Sequence, residues 1–277
     1  MKSVVEVIDL AGNFLGQKRV ARPRRMAEEL LSAVLKCRRI DLYLKYDRPV
    51  EEAELDILRD WLKRLAKGEP LEYIVGEVAF YGCVFKVDPR ALIPRPETEI
   101  LADWVAKRIH ETSLWDLCTG SGVLAISLKK KIPKLQVVAS DVDEVALSLA
   151  KENATLNGVD VEFLLGDFLA PFSGRTVDAV ICNPPYISVK EYLELDPSVR
   201  QFEPRRALVG GEKGVEFYER LAEQLPPFLN PRGQLFLEIG VGQGEVIQKI
   251  FTGPPWRKGE LLLDWAGKPR FFFLEKQ

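Results

Sequence analysis

The four residues with the most chemical content are Asn183, Pro184, Pro185 and Tyr186, which directly follow the β-rich run 177–182. Neither proline has an N–H and each fixes its φ angle, so the turn is rigid. The side-chain oxygen of Asn183 and the backbone oxygen of Pro184 can together accept both hydrogens of an NH2 group. The Tyr186 ring offers a face on which a planar amide or base stacks. The loop therefore predicts a site that holds a planar nitrogen nucleophile.

Such a loop suits the transfer of a methyl group to that nitrogen. An amide nitrogen is a poor nucleophile, and two acceptors on its hydrogens return electron density to it and aim its lone pair. Correct positioning supplies several kcal/mol, and the same oxygens stabilise the positive charge that develops on nitrogen. Asn183, Pro184 and Tyr186 are the predicted catalytic residues. A structural proline turn is the alternative, which the position at a strand end disfavours.

A second segment, residues 116–122, has the composition of a nucleotide-binding turn. It reads Asp-Leu-Cys-Thr-Gly-Ser-Gly, between a predicted strand and a predicted helix, where small residues let the backbone approach a ligand and the helix offers free N–H groups. Asp141 ends the next predicted strand, where it can accept hydrogen bonds from ribose hydroxyls. Ligands of open α/β sheets bind beyond the carboxyl ends of the strands. These features predict a nucleoside-containing cofactor.

The identity of the cofactor depends on a comparison of two patterns. Gly120, Gly122 and Ala125 satisfy G-x-G-x-x-A, the dinucleotide fingerprint of NAD enzymes. An acid before the glycines, here Asp116, is instead typical of enzymes that use S-adenosylmethionine, whereas the dinucleotide motif begins with glycine. Together with the loop 183–186, this favours S-adenosylmethionine. A binding module that keeps the pocket without turnover remains a further alternative.

The elements that must position these residues alternate along the chain. Strands are predicted at residues 113–116, 136–140, 161–165, 177–182, 234–239, 260–264 and 270–275, helices at 122–131, 144–156 and 215–225, and a turn at 230–233. Alternating βα units predict an α/β fold with a doubly wound, mostly parallel sheet.

The first third of the chain has a different pattern. Apolar residues at helical spacing predict helices after Pro23 and around residues 55–65, and a β-rich stretch around Gly82 predicts a hairpin. We therefore expect a helical bundle at 1–75, a β-hairpin connector at 76–95 and a catalytic domain at 96–277.

Composition excludes several classes of function. The net charge of −2 lacks the basic excess of proteins that grip nucleic acid through phosphates. One histidine and four cysteines without a C-x-x-C pair predict no metal site. Neither a membrane span nor a signal peptide is expected, so a cytoplasmic location is predicted, with no need for more than a monomer.

With these residues in hand, the chain resembles the HemK/PrmC family of release factor glutamine methyltransferases. The resemblance spans nearly the whole chain, through the motifs at residues 72–76, 80–82, 93–99, 116–122, 141, 166–168, 183–186, 202–204, 207–211 and 238–240. The Asn-Pro-Pro-Tyr sequence alone is shared with DNA adenine methyltransferases, so methylation of adenine N6 in nucleic acid remains the alternative. Two departures are Cys118, where the family usually has glycine, and the sequence 212–214 after Gly211.

The resemblance implies a class I, Rossmann-like methyltransferase sheet and S-adenosyl-L-methionine as cofactor, with S-adenosyl-L-homocysteine as product. The substrate would be the glutamine of the Gly-Gly-Gln motif in class 1 peptide chain release factors, methylated on its amide nitrogen N5, with the helical domain helping to dock the factor. The predicted cofactor-binding residues are Asp116, Cys118, Thr119, Gly120, Ser121, Gly122, Asp141, Asp167, Phe168 and Asn183. The predicted substrate-binding residues are Phe80, Arg95, Glu97, Asn183, Pro184, Pro185 and Tyr186.

Overall fold

A computed structural model describes residues 2–110 and 112–277, which divide into two compact units. The first unit runs to Gly76 and includes Pro197–Phe202, and the second consists of Glu77–Asp196 and Glu203–Gln277.

Helices make up the first unit. They are α1 Val4–Gln17, α2 Pro23–Val34, a 3-10 helix Arg39–Lys45, α3 Glu52–Ala66, α4 Leu71–Val75 and α9 Pro197–Phe202. Pro23 opens α2 at a position where a missing N–H costs nothing. The apolar faces of α1, α2 and α3 form one buried cluster that includes Leu15, Leu30 and Leu58. The helices predicted after Pro23 and around residues 55–65 are confirmed.

A hairpin opens the second unit. Strands β1 Glu77–Phe80 and β2 Cys83–Lys86 pair antiparallel, as predicted around Gly82. Tyr81 and Gly82 both have positive φ, 45° and 77°, which is the backbone of a two-residue hairpin turn. The Tyr81 N–H donates to Glu99 Oε1 at 2.7 Å, which ties the turn to the helix that follows.

Seven strands form the main sheet in the order β10-β11-β9-β6-β3-β4-β5. They are β3 Ser113–Leu117, β4 Gln136–Asp141, β5 Glu162–Leu165, β6 Val177–Cys182, β9 Leu229–Glu238, β10 Glu260–Leu263 and β11 Pro269–Glu275. The five strands from β9 to β5 are parallel, and β11 runs antiparallel to β9 and β10. The predicted α/β fold with its mostly parallel sheet is confirmed. Apolar clusters cover both faces.

Helices flank this sheet, and a small strand pair lies beside it. The helices are α5 Pro96–Ala106, α6 Val123–Lys131, α7 Glu144–Asn157, α8 Val189–Glu194, α10 Arg205–Leu208, α11 Glu216–Gln224 and α12 Gly244–Ile250, with 3-10 helices Ala170–Phe172 and Pro226–Phe228. The small pair is β7 Ile187–Ser188 and β8 Val209–Gly211. Asp143 caps α7, and its Oδ1 accepts from Val145 N at 3.0 Å.

The structure differs from the sequence prediction at one turn and contains helices that the prediction lacks. The turn predicted at residues 230–233 is wrong, because these residues lie within β9. There Arg232 adopts a φ of 63° and the register with β6 shifts, so the segment is a bulge in one strand. Helix α5, which begins at Pro96, and the short helices α8, α9, α10 and α12 are absent from the sequence prediction. Within the described residues, the helices are too short or too polar to cross a membrane.

Candidate active site

A cavity of about 330 Å³ lies where four parallel strands end. Cys118, Asp141, Gly166 and Asn183 line it, each at or just beyond the carboxyl end of β3, β4, β5 or β6. This edge of an open parallel sheet is where such folds bind ligands, because the loops there are not held in the strand ladder.

The loop after β3 turns sharply on left-handed residues. Cys118, Gly120 and Gly122 have φ angles of 57°, 55° and 84°. A Cβ on Gly122 would lie 2.7 Å from Ile126 Cδ1, so close packing of the loop onto α6 requires glycine there. A Cβ on Gly120 would meet no atom within 4 Å, so at this position the loop faces open space. Cys118 adopts this left-handed conformation at a modest cost in backbone strain, because it has a Cβ that glycine lacks.

Asp116 lies beneath this loop and holds it. Its Oδ2 accepts from Thr119 Oγ1 at 2.6 Å and from Ala125 N at 3.1 Å, while Oδ1 has no partner in the described structure. The side chain is fully buried, and this burial raises the pKa of Asp116 to about 7. Asp116 therefore organises the loop from below, and it is not part of the cavity wall.

Asp141 lies in the cavity wall at the end of β4. Its Oδ2 accepts from Gly120 N at 2.9 Å and its Oδ1 from Asp143 N at 3.0 Å. The carboxylate therefore joins the loop after β3 to the loop after β4. Burial raises the pKa of Asp141, partly offset by these backbone donors. A carboxylate has about four lone-pair sites, so both oxygens can still accept from a ligand.

Aromatic and cationic side chains form another part of the wall. Phe168, with a φ of 56°, packs edge to face on Phe217 at 4.9 Å, and the Arg220 guanidinium lies 4.8 Å from the Phe168 ring centre. Arg220 also pairs with Asp167 at 2.9 Å. Sequence reasoning did not single out Phe217 or Arg220, which come from α11, far along the chain.

The loop after β6 places Asn183 in the wall. The Asn183 Nδ2 donates to Thr98 Oγ1 at 3.2 Å, and Thr98 is buried in the first turn of α5. This hydrogen bond leaves Oδ1 as the acceptor atom of the Asn183 amide. Pro185 also lines the cavity, whereas Pro184 is buried outside its wall.

The backbone of this loop is clamped from a second segment. A Cβ on Gly210 would overlap the carbonyl oxygen of Pro185, so these two backbone segments lie closer together than any residue but glycine permits. Gln243 Nε2 donates to the carbonyl oxygens of Tyr186 at 2.9 Å and Gly214 at 3.2 Å. Gly214, the last residue of the departure at 212–214, thus belongs to the clamp.

Tyr186 points away from the cavity into a buried polar cluster. Its hydroxyl donates to Glu238 Oε1 at 3.2 Å and accepts from an Arg270 N–H at 3.0 Å. The Arg270 guanidinium lies 5.6 Å from the Tyr186 ring centre, and burial raises the pKa of the phenol. Glu238 is fully buried at the end of β9 and pairs with Arg270 at 3.1 Å.

The structure therefore brings together most, but not all, of the predicted site residues. Those that line the cavity are Arg95, Cys118, Thr119, Gly120, Ser121, Asp141, Asp167, Phe168, Asn183 and Pro185. Those that do not are Phe80, Glu97, Asp116, Gly122, Pro184 and Tyr186. Phe80 packs in the core beside Phe85. Arg95 is held by the buried carboxylate of Glu203, a partner that the sequence did not reveal.

These residues fit a nucleoside sulfonium cofactor. Asp141 offers acceptors for hydroxyls, Phe168 offers an apolar ring, and the open face of Gly120 permits close approach of a ligand to the backbone. In the described residues no cluster of three His, Cys, Asp or Glu side chains could hold a metal ion. The fold and this donor set define a class I S-adenosylmethionine-dependent methyltransferase.

Comparison with known proteins narrows the class to a family. The family described as PrmC N-terminal domain matches residues 6–76, and the methyltransferase small domain matches residues 96–196. A release factor glutamine methyltransferase of Geobacter sulfurreducens is 38% identical over 251 residues, 90% of this chain and 88% of that protein. One of Bacillus cereus is 36% identical over 283 residues, 99% of each chain. The chain belongs to the release factor glutamine methyltransferase family.

A solved structure supports the fold independently. A methyltransferase from Pyrococcus furiosus superposes with a TM-score of 0.55 at 18% identity, covering 78% of this chain and 98% of that one. At this identity the likeness concerns the fold alone.

Proposed function

We propose that this protein transfers a methyl group from S-adenosyl-L-methionine to the side-chain amide nitrogen N5 of the glutamine in the Gly-Gly-Gln motif of class 1 peptide chain release factors. The observation that carries the proposal is the Asn183 amide, which lies in the cavity wall with its NH2 bound to Thr98. Its oxygen is then the atom that accepts from an incoming NH2 group. The names of its relatives support a glutamine side chain as the source of that group.

The chain's own residues supply positioning and electrostatics. In this proposal Asn183 Oδ1 accepts one amide hydrogen of the substrate, and the backbone oxygen of Pro184 accepts the other, although Pro184 itself does not line the cavity. The two acceptors aim the nitrogen lone pair. When bound, the cofactor supplies an electrophilic methyl group on a positively charged sulfur. The two oxygens stabilise positive charge that develops on the nitrogen, and the departing proton passes to water. The rigid clamp on residues 185–186 keeps both acceptors in place.

Residues of the cavity wall hold the cofactor in this proposal. Asp141 accepts from the ribose hydroxyls, Phe168 lies beside the adenine, and the loop 118–122 contacts the rest of the cofactor. Asp116 and Gly122 act from beneath, by holding the loop. The helical segment 1–75 docks the release factor, the hairpin segment 76–95 connects, and residues 96–277 form the catalytic domain. A monomer in the cytoplasm, without direct contact to nucleic acid or membrane, remains our expectation.

Methylation of adenine in nucleic acid is the alternative that the Asn-Pro-Pro-Tyr loop alone would allow. Labelled S-adenosylmethionine distinguishes the two when offered with a class 1 release factor, the same factor with alanine in place of the Gly-Gly-Gln glutamine, and DNA and RNA. We expect label on the intact factor only. Label on nucleic acid, or equal label on both factors, would overturn the proposal.

A further inference from the structure

Three side chains form a directional hydrogen-bond chain that starts at Asn183 and Thr98 in the cavity wall and ends at the buried Glu238 behind it. The Thr98 hydroxyl donates to Glu238 Oε2 at 2.7 Å, and the same oxygen of Thr98 accepts from Asn183 Nδ2 at 3.2 Å. Glu238 and Thr98 are both buried, and they come from β9 and α5, 140 positions apart in sequence. None of the chemistry described above assigns a role to Glu238.

The direction of this chain follows from the carboxylate. An ionised carboxylate accepts only, so the Thr98 proton must point to Glu238. The Thr98 oxygen then has only lone pairs left for Asn183, which must present its NH2 and turn Oδ1 the other way. An Asn side chain has nearly equal oxygen and nitrogen ends, so without this chain nothing in its shape would select one orientation.

The surroundings of Glu238 keep it an acceptor. Three donors converge on its two oxygens: the Thr98 hydroxyl, the Tyr186 hydroxyl at 3.2 Å and an Arg270 N–H at 3.1 Å. Burial raises the pKa of Glu238 above its ordinary value, and the three donors only partly offset that rise. The Arg270 guanidinium cannot accept a hydrogen bond and stays charged, so its contact with Oε1 favours the anion.

We propose that Glu238, acting through the Thr98 hydroxyl, is a positioning residue that decides which atom of the Asn183 amide faces the substrate. The chain from carboxylate to hydroxyl to amide also polarises Asn183 Oδ1, because consecutive hydrogen bonds strengthen one another in a buried setting. Asn183 thereby becomes a stronger acceptor for the substrate NH2. The catalytic part of this inference rests on the proposed function, whereas the orientation of Asn183 does not.

Thr98 offers the sharpest variant, because Thr98→Val keeps the shape and leaves the ion pair of Glu238 and Arg270 intact. We expect Thr98→Val to lower kcat for the release factor by about 10- to 100-fold with little change in KM, the loss of one or two hydrogen bonds used in the transition state. Thr98→Ser keeps the hydroxyl and should retain kcat within about threefold. Glu238→Gln should resemble Thr98→Val if it folds.

Tyr218→Phe is the matched control. The Tyr218 hydroxyl donates to the backbone oxygen of Glu238 at 2.9 Å and is fully buried, so its loss disturbs the same segment without touching the carboxylate. It should lower Tm and leave kcat unchanged. If Tyr218→Phe and Thr98→Val reduced kcat equally, or Thr98→Val kept normal kcat on a factor that the wild type methylates, the positioning role would be wrong.

A substrate-free measurement separates this inference from the proposed function. In an NMR spectrum of the isotopically labelled full chain, the Asn183 side-chain NH2 pair is identified as the one missing from Asn183→Ala. We expect slowed solvent exchange of one of its protons in the wild type and Thr98→Ser, and faster exchange in Thr98→Val. Equal exchange in all three would refute the orientation, whatever substrate the enzyme methylates.

Discussion

Asp141 joins the glycine loop to the start of α7 while facing the cavity. If it also accepts from ribose hydroxyls, Asp141→Ala removes hydrogen bonds to the ligand and two loop anchors together. We expect the Kd for S-adenosylmethionine to rise by about 10- to 100-fold, measured by calorimetry. Asp141→Asn keeps one acceptor and should give an intermediate Kd. An unchanged Kd in the alanine variant would contradict the ribose assignment.

Asp116 makes the stability of the free protein depend on pH. Its folded-state pKa of about 7 lies above the ordinary value of 3.8, so the folded protein holds a proton that the unfolded chain releases. The stability contribution of this proton is fully present below 3.8 and is lost as the pH rises through 7. The isosteric Asp116→Asn variant has no ionisable group at this position, so its stability does not fall in this way as the pH rises.

The Tm of Asp116→Asn relative to the wild type should therefore rise as the pH increases. Between pH 3.8 and about 7, the difference in free energy of unfolding between the variant and the wild type changes by at most about 1.4 kcal/mol per pH unit. Thermal unfolding of both proteins between about pH 5 and about pH 8 measures it. A Tm difference that is the same at every pH would show that Asp116 is ionised throughout.

At the scale of elements, the packing of α6 against the glycine loop depends on one missing side chain. In Gly122→Ala the new Cβ would meet Ile126 and Ala150 at a φ of 84°. We expect a loss of about 2–4 kcal/mol, combining left-handed strain and overpacking. Gly158→Ala is the control, since Gly158 also has a positive φ, 65°, but no atom near the new Cβ. Equal Tm losses in the two variants would show that loop packing contributes nothing.

Elements with strong periodicity could be predicted from the sequence. The short, mostly buried apolar runs that became β3, β4 and β6 carry their own local signal, and so do α2 and α3, whose apolar residues recur at helical spacing. The cavity edge could be predicted too, because the carboxyl ends of parallel strands share one edge.

Contacts between distant segments could not be predicted in this way. Glu238 ends an apolar strand, which marks it as unusual, but its partners Thr98 and Arg270 lie in other elements and share no local pattern with it. Tyr186 was expected beside the substrate, yet only the assembled fold shows its hydroxyl turned to this cluster. The sequence predicts a turn at the bulge within β9 because Asn-Pro-Arg-Gly consists largely of residues that favour turns.

At the scale of the whole molecule, the proposed docking role of the helical unit can be tested on its surface. Ile40 and Leu44 lie four positions apart on the 3-10 helix Arg39–Lys45 and are 62% and 87% exposed. If this unit docks the release factor, Leu44→Ser should raise KM for the factor by about 3- to 30-fold and leave kcat unchanged, because it removes apolar contact area. Steady-state kinetics with varied release factor measures both constants.

Trp265 provides the control for that experiment. It is 83% exposed in the second unit, so Trp265→Ser removes a comparable exposed apolar group elsewhere. It should change neither constant. An unchanged KM in Leu44→Ser, or an equal rise in both variants, would remove the support for docking at this helix.

The most direct test of the proposed glutamine methylation is tandem mass spectrometry of the release factor after incubation with enzyme and S-adenosylmethionine. With the wild-type enzyme we expect one methyl group on the side-chain nitrogen of the Gly-Gly-Gln glutamine. With Asn183→Ala we expect almost none, although that variant still folds. A methyl group on another residue, or normal methylation by Asn183→Ala, would contradict the proposal.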